Sequence, residues 1–221
     1  MTAAQPPLAR GADLRATVAV VPVRSLETAK SRLGEPLDAE EREAFVAAML
    51  RRAVRAGLDG GLADVLVVSP DPEALELARM AGATPLHQAS EGLNEGLADA
   101  RAAAMGSGAT ALLVLPTDLP ALSGPEVARL VERAARAVVP GRPLVALVPD
   151  RHASGTNALL VSPPDAIPFR FGEGSRARHA AAADEAGATY LELDSPLALD
   201  IDTADDLLLA DLAGLDHEGG R

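Results

Sequence analysis

Residues 16–23 read Ala-Thr-Val-Ala-Val-Val-Pro-Val, an apolar run with the length of one β-strand. A run without polar interruptions is typical of a strand buried on both faces, as in a parallel sheet that helices cover. Further along the chain, strand-like runs alternate with amphipathic segments that carry helix-capping residues. This alternation predicts an α/β fold, a three-layer α/β/α sandwich around a mostly parallel sheet.

The same signals predict the later elements and some of their ends. Two capping boxes, pairs of side chains three residues apart that cap each other's amides, predict helix starts at Asp38 with Glu41 and at Ser123 with Glu126. Gly57 is expected to end the first helix. Further strands are expected at residues 65–68, 84–86, 111–115, 144–148, 158–161 and 189–193.

Composition limits the classes of protein to which the chain can belong. It has 221 residues, a formal charge of −12 and no cysteine, which excludes disulfides and thiolate metal sites. One domain is expected over residues 16–214, with flexible tails at residues 1–15 and 215–221. With no membrane-length apolar stretch and no signal pattern, we expect a cytoplasmic protein without membrane contact. The acidic charge argues against nucleic acid as a partner, while an anionic small ligand would need local cations or a metal.

Three cations follow the first strand, at the sheet edge where α/β proteins bind ligands. They are Arg24, Lys30 and Arg32. Lys30 is the only lysine in the chain, and a compact ammonium suits a point contact to phosphate, whereas arginine prefers planar, bidentate partners. The glycine spacing of Walker and dinucleotide-binding loops is missing. The loop is therefore either an anion site of another type or an exposed cationic loop.

Three aspartates are candidate ligands of a hard metal ion. Asp118 stands between two prolines after the predicted strand 111–115, as a turn former or as a metal ligand. Asp200 and Asp202 share one face if their segment is extended. They either help to start the next helix or remain free, because Thr203 is itself a good cap. One of them facing Asp118 would complete a Mg²⁺ site.

Two further segments have a structural and a functional interpretation. The loop Phe171-Gly-Glu-Gly-Ser175 precedes a helix, and its glycine amides with the helix N-terminus favour an anion. Its structural interpretation is an ordinary loop with Ser175 as N-cap. Asn94 stands where another helix begins, as a cap or as a partner of a base or ribose. His152 and His179 are too scattered for a transition-metal cluster.

Taken in order, these motifs resemble the CofC/FbiD family of guanylyltransferases, which act in the synthesis of coenzyme F-420. The resemblance runs from about residue 17 to residue 214 and rests on the joint order and spacing of the motifs. They are Val20–Val23 with Leu26-x-x-Ala29-Lys30-Ser31-Arg32-Leu33, Gly92-Leu93-Asn94, Thr117-Asp118-Leu119-Pro120, Gly155-Thr156-Asn157, Phe171-Gly172-x-Gly174-Ser175 and Asp200-Ile201-Asp202-Thr203.

The resemblance implies a nucleotidyltransferase fold of the GT-A type, related to the nucleotide-diphospho-sugar transferases. It implies transfer of GMP from GTP to phosphoenolpyruvate, or to 2-phospho-L-lactate as in archaeal members, with release of pyrophosphate. By position, the GTP-binding residues would be Arg24, where many relatives carry lysine, with Lys30, Arg32 and, near the nucleoside, Asn94. Mg²⁺ would be held by Asp118 and Asp202, with Asp200 as an alternate or second-metal ligand. The phospho-acid would be gripped by Thr156, Gly172 and Ser175, and the product would pass to the next enzyme of coenzyme F-420 synthesis.

Two other functions remain open at this point. One is a nucleotidyltransferase of the same fold for another acceptor, such as molybdopterin or a sugar phosphate, although the loop after strand one is not glycine-rich. The other is a non-catalytic nucleotide-binding module. The presence of both Asp118 and Asp202 argues against such a module, because loss of catalysis usually removes metal ligands.

Overall fold

The computed structural model describes residues 11–24 and 38–200. Within these residues seven strands form one sheet: β1 Thr17–Pro22, β2 Asp64–Ser69, β3 Thr84–His87, β4 Ala111–Val114, β5 Leu144–Pro149, β6 Thr156–Ser162 and β7 Thr189–Glu192. The described α-helices are α1 Ala39–Asp59, α2 Pro72–Met80, α3 Leu93–Gly106, α4 Gly124–Arg136 and α5 Ser175–Glu185. A single 3₁₀ turn at Pro196–Ala198 follows β7. Apart from shifts at their ends, the elements predicted within this range are confirmed, and the helix expected after Thr203 lies outside it.

The strands lie in the order β3-β2-β1-β4-β6-β5-β7. Strand β1 pairs in parallel with β2 and with β4, and β5 pairs in parallel with β7. In the described part of the chain β6 alone runs the other way, antiparallel to both β4 and β5. The predicted mostly parallel sheet is therefore confirmed.

Side chains that alternate along the strands separate two apolar cores. On β1, Ala19 and Val21 face one core, while Val18 and Val20 face the other. The first core packs against α1, α2 and α4, and the second packs against α3 and α5. Because each strand supplies apolar side chains to both faces, the sheet must be covered on both sides. The three-layer α/β/α sandwich is confirmed.

Helix α1 begins as predicted and ends later than predicted. The Asp38 side chain accepts a hydrogen bond from the Glu41 amide at 2.9 Å, and the Glu41 carboxylate accepts one from the Asp38 amide at 3.0 Å, so the capping box is confirmed. The helix passes through Gly57 to Asp59, so the end predicted at Gly57 is wrong. A Cβ at residue 57 would lie 2.6 Å from Cγ2 of Val65, and glycine there lets α1 approach β2 closely.

The second capping box, at α4, is wrong. Ser123 is the N-cap residue, but its side chain accepts no capping hydrogen bond from the described residues. Glu126 instead accepts a hydrogen bond from the Ser195 hydroxyl at 2.7 Å and pairs with Arg129 at 2.6 Å. Its carboxylate therefore joins α4 to the segment after β7 rather than closing the first turn of the helix.

Part of the expected N-terminal tail lies against the sheet. The amide of Ala12 donates to the carbonyl of Arg142 at 2.9 Å, and the amide of Asp13 donates to the Ser162 hydroxyl oxygen at 2.8 Å. Residues 11–15 therefore do not belong to a loose tail, because they bridge the starts of β5 and the end of β6. The other tail residues, 1–10 and 215–221, lie outside the described residues. Among the described helices, none has the length and apolar character to cross a bilayer.

Candidate active site

One edge of the sheet collects the candidate residues that the structure describes. The parallel strands end there, and β6 begins there because it runs antiparallel to its neighbours. Strand order reverses at β1, whose chain continues to β2 on one side while β4 lies on the other. Ligands of open α/β sheets bind in the crevice at such a reversal. Arg24 follows β1 and Asp118 follows β4, so these two residues flank the crevice.

Arg24 is placed at this edge by main-chain contacts to β2. The amide of Val23 donates to the carbonyl of Val68 at 2.9 Å, and the Ser69 hydroxyl donates to the carbonyl of Arg24 at 3.1 Å. These contacts extend β1 by two residues and leave the Arg24 side chain exposed. Lys30 and Arg32, the other two predicted cations of this loop, lie outside the described residues, and their roles stay predictions.

Asn157 brings Asp200 to the same edge as Asp118. Its side-chain amide donates to the carbonyls of Leu197 and Ala198, both at 3.0 Å, and lies 3.4 Å from Oδ1 of Asp200. Asn157 is only 7% exposed and stands near the start of β6, the strand beside β4. The motif Gly155-Thr156-Asn157 was part of the resemblance, but a role for Asn157 was missed because its partners lie forty residues further on.

The chemistry of these carboxylates fits a hard divalent cation. Asp118 and Asp200 supply oxygen donors from adjoining strand ends, and Mg²⁺ prefers such oxygens. Asp202 lies outside the described residues. Among the residues that are described, no three acidic, histidine or cysteine side chains come together as a metal cluster.

The loop before α5 has the backbone geometry of an anion cradle. Gly172 and Gly174 have φ angles of +109° and +67°, which favour glycine. Gly174 is the N-cap, so the interpretation of Ser175 as N-cap is wrong, and Ser175 is the first helical residue. The Ser175 amide donates to the Gly172 carbonyl at 3.0 Å. This turn brings two of the predicted phospho-acid residues together at the positive end of the helix dipole.

Arg176 joins this cradle to Thr156. Its amide donates to the carbonyl of Ser154 at 3.3 Å, and its guanidinium donates to the carbonyl of Ala153 at 2.9 Å. Ser154 lies two residues before the start of β6, where Thr156 stands. The structure therefore places Thr156, Gly172 and Ser175, all predicted from the resemblance, around the N-terminus of α5. The Arg176 guanidinium is also paired with Glu192, at 2.9 Å.

Asn94 holds the same loop from the other side. Its side-chain oxygen accepts from the Phe171 amide at 2.8 Å, and its side-chain nitrogen donates to the Phe171 carbonyl at 3.2 Å. The N-cap of α3 is Gly92, so the capping interpretation of Asn94 is wrong. Its contact with a nucleoside stays a prediction, and its observed partner is the backbone one residue before Gly172.

His179 is a buried residue of this region for which the sequence indicated no role. It lies on α5, four residues after Ser175, so both side chains share one face of the helix. Its Nδ1 is 3.1 Å from the Thr156 hydroxyl, and its Nε2 accepts from the Arg170 amide at 3.0 Å. Burial, and secondarily the charges of Arg178 and Arg170, lower the pKa of His179 to about 4.

The sequence matches one protein family along nearly its whole length. The model of the family described as guanylyl transferase CofC like matches residues 17–219. The phosphoenolpyruvate guanylyltransferase of Rubrobacter xylanophilus is 46% identical over 197 residues, which cover 89% of this chain and 94% of that protein. The phosphoenolpyruvate guanylyltransferase of Sphaerobacter thermophilus is 46% identical over 200 residues, covering 90% of this chain and 93% of that protein.

Solved structures share the fold at low sequence identity. A protein from Desulfovibrio desulfuricans G20, described as a nucleotide-diphospho-sugar transferase, superposes with a TM-score of 0.68 at 18% identity, over 91% of this chain and 89% of that one. Glucosyl-3-phosphoglycerate synthase from Mycobacterium tuberculosis, solved with Mg²⁺ and UDP, superposes with a TM-score of 0.57 at 13% identity, over 80% and 68%. The expected nucleotidyltransferase fold is confirmed, and because the family match spans residues 17–219, the chain belongs to the CofC-like guanylyl transferase family.

Proposed function

We propose that this protein is a phosphoenolpyruvate guanylyltransferase, which transfers GMP from GTP to phosphoenolpyruvate. An oxygen of the acceptor phosphate attacks the α-phosphorus of GTP. The bond from that phosphorus to the α,β-bridging oxygen breaks, and pyrophosphate leaves with that oxygen and the electron pair. The products are enolpyruvoyl-2-diphospho-5′-guanosine and pyrophosphate. The observation that carries the proposal is the 46% identity to named phosphoenolpyruvate guanylyltransferases over about nine-tenths of the chain.

The acceptor phosphate would bind in the cradle at the N-terminus of α5. Thr156 and Ser175 offer hydroxyl groups there, and the left-handed turn at Gly172 lets backbone amides approach an anion. An ionised phosphate oxygen is already a nucleophile, so the site needs no strong general base. Positioning and charge neutralisation carry such transfers, which agrees with a site built from hydroxyls, amides, cations and carboxylates.

The triphosphate of GTP would lie at the crevice between the ends of β1 and β4. Arg24 is exposed there, and Lys30 and Arg32 belong to the loop that continues from it. These cations would offset the negative charge of the triphosphate in a chain whose formal charge is −12. Asn94, through its two hydrogen bonds to Phe171, would link the nucleoside side of the crevice to the acceptor cradle.

Asp118 and Asp202 would hold Mg²⁺, with Asp200 as an alternate or second ligand. When bound, the ion would neutralise charge on the triphosphate oxygens during transfer. Support comes from the oxygen donors at adjoining strand ends and from the structural relative solved with Mg²⁺ and UDP. Asn157 would act on the site indirectly, because it fixes the segment that carries Asp200.

We place the reaction in coenzyme F-420 synthesis, in the cytoplasm, where GTP and phosphoenolpyruvate are available. The next enzyme of that synthesis would then consume the guanylylated acid. This part of the proposal follows from the family to which the chain belongs.

One experiment separates this function from the alternatives. The purified protein is incubated with GTP and Mg²⁺ and with either phosphoenolpyruvate or 2-phospho-L-lactate, and pyrophosphate release is measured. We expect release with phosphoenolpyruvate and much slower release with 2-phospho-L-lactate. Faster release with the lactate would reassign the acceptor. Binding of GTP without release with either acid would support a non-catalytic nucleotide-binding module.

A further inference from the structure

The two ring nitrogens of His179 have fixed and different hydrogen-bonding roles. Nε2 is 3.0 Å from the main-chain nitrogen of Arg170, and an amide N–H can only donate. Nε2 must therefore present its lone pair. A neutral imidazole then carries its proton on Nδ1, which faces the Thr156 hydroxyl at 3.1 Å. The hydrogen-bonding geometry thus selects one tautomer.

The surroundings of His179 keep this tautomer neutral. The side chain is fully buried, and the Phe171 ring packs edge-on against it with centroids 5.0 Å apart. Arg170 and Arg178 are the charged groups nearest to it, and it lies in the first turns of α5, where the helix dipole disfavours a cation. Protonation at Nε2 would also replace the hydrogen bond from Arg170 with a clash of two N–H groups.

The consequence falls on Thr156. A hydroxyl group has one proton to donate and two lone pairs. Since Nδ1–H of His179 donates to Thr156 Oγ1, that hydroxyl cannot return its own proton to the ring. Thr156 keeps 8% of its surface exposed, beside the N-terminus of α5. Its proton is therefore available to an acceptor at that mouth, and a phosphate oxygen is such an acceptor.

We propose that His179 is a positioning residue, which as the neutral Nδ1–H tautomer donates to Thr156 and thereby directs the Thr156 hydroxyl proton toward the acceptor phosphate. The proposal rests on the proposed function, because it takes the phosphate to bind beside Thr156. A second effect of the same ring is to hold the Arg170 amide, and with it the loop that leads to Gly172.

Two substitutions separate the two hydrogen bonds of His179. In His179→Asn the amide nitrogen takes the place of Nδ1 and can still donate to Thr156, while the acceptor for Arg170 is lost. In His179→Gln the amide oxygen reaches the place of Nε2 and can still accept from Arg170, while the donor to Thr156 is lost. We expect His179→Gln to raise KM for phosphoenolpyruvate about three- to tenfold, with KM for GTP within about twofold of wild type. We expect His179→Asn to stay within about twofold for both substrates.

A double-mutant cycle with Thr156→Val tests whether the effect passes through the hydroxyl. Thr156→Val alone should raise KM for phosphoenolpyruvate by about tenfold or more, because a hydrogen bond to a charged group is lost. His179→Gln should add nothing further in that background. Equal effects of His179→Gln with and without Thr156 would overturn the proposal, and so would a larger effect of His179→Asn than of His179→Gln.

A readout that needs no turnover keeps the two proposals distinguishable. ¹⁵N spectra of the ring nitrogens, assigned by loss of the signal in His179→Asn, should show the Nδ1–H tautomer at pH 7. Phosphoenolpyruvate added with a GTP analogue that has a methylene group between its α- and β-phosphates should shift this signal in wild type but not in Thr156→Val. An Nε2–H tautomer, an imidazolium, or an unshifted signal would refute the positioning role. Failure of wild type to release pyrophosphate, with the spectra as expected, would refute only the proposed reaction.

Discussion

Asn94 and Phe171, 77 residues apart in the chain, form a pair joined by two hydrogen bonds, from the Phe171 amide at 2.8 Å and to its carbonyl at 3.2 Å. The side chain of Asn94 thus contacts a loop residue as a neighbouring β-strand would. The next residue, Gly172, belongs to the acceptor cradle. The start of α3 and the start of α5 are therefore linked through one side chain.

We expect Asn94→Ala to loosen this loop. Two hydrogen bonds are lost and the Phe171 amide and carbonyl lose their partner, so the free energy of unfolding should fall by about 1–3 kcal/mol. KM for phosphoenolpyruvate should rise more than KM for GTP. Urea unfolding and pyrophosphate release measure the two effects.

Asn94→Asp is the matched control, since it keeps the acceptor for the Phe171 amide and removes the donor to its carbonyl. Its effects should be intermediate. A rise confined to KM for GTP in both variants would instead favour direct contact of Asn94 with the nucleoside.

Asp118→Ala should reduce pyrophosphate release by roughly two to three orders of magnitude, because an electrostatic contact at the reacting phosphate would be lost. The variant should fold, which circular dichroism and the melting temperature would verify. Asp184→Ala, at an exposed aspartate near the other end of α5, should leave turnover unchanged. Near-normal turnover of Asp118→Ala would refute a metal-binding role.

Lys30→Ala should weaken the use of GTP far more than it changes stability. Loss of a charged contact to phosphate predicts a rise in KM for GTP of about tenfold or more, with an unchanged melting temperature. Lys30→Arg tests the choice of lysine in an arginine-rich chain, since it keeps the charge but changes the geometry. Its KM should lie between those of wild type and Lys30→Ala. Equal affinity for GTP in all three proteins would make Lys30 an ordinary surface residue.

Sequence motifs predicted the fold well where the partners are local. The apolar run of β1 and the capping box of Asp38 with Glu41 need only neighbouring residues, and both are confirmed. The similar pair Ser123 and Glu126 failed because Glu126 contacts Ser195, which is 69 residues away. A local pattern does not reveal a distant competitor for the same carboxylate.

The candidate site was predictable as a set of residues but not as a set of contacts. The resemblance named Thr156, Gly172 and Ser175, and the structure brings them together at one helix end. The partners of Asn94 and His179 depend on how α3, β6 and α5 pack around the sheet. Since no spacing in the sequence encodes that packing, the hydrogen bonds to Phe171 and Thr156 could not be predicted.

Gly57→Ala should destabilise the protein although alanine is the better helix former. The new Cβ would lie 2.6 Å from Cγ2 of Val65, and overpacking of this kind costs about 1–3 kcal/mol. Gly106→Ala is the matched control, because no described atom lies within 4 Å of a Cβ there, and it should raise stability by up to about 1 kcal/mol. Urea unfolding of both variants measures the difference. Equal stabilisation would show that α1 can move away from β2 without cost.

Stability should fall as pH is lowered, through His179. Burial, with Arg178 and Arg170 nearby, lowers its pKa in the folded protein from 6.5 to about 4. In the unfolded chain the ring binds a proton near pH 6.5, whereas in the folded protein it does so only near pH 4. The contribution of the neutral ring is therefore fully present above about pH 6.5 and is lost as pH falls toward 4, by about 3 kcal/mol in total.

Urea unfolding of wild type and His179→Asn between pH 7.5 and about pH 4.5 isolates this contribution, because the variant cannot titrate at residue 179. The carboxylates with lowered pKa values, Asp13, Asp150 and Glu192, change both proteins alike and mainly at the acid end of the range. The difference in unfolding free energy between the two proteins should shrink as pH falls, as protonation of the folded wild type's competitor, the unfolded chain, removes the advantage of a neutral ring. A difference that stays constant over this range would show that His179 titrates normally in the folded protein, and would contradict the neutral, buried imidazole that the contacts to Thr156 and Arg170 require.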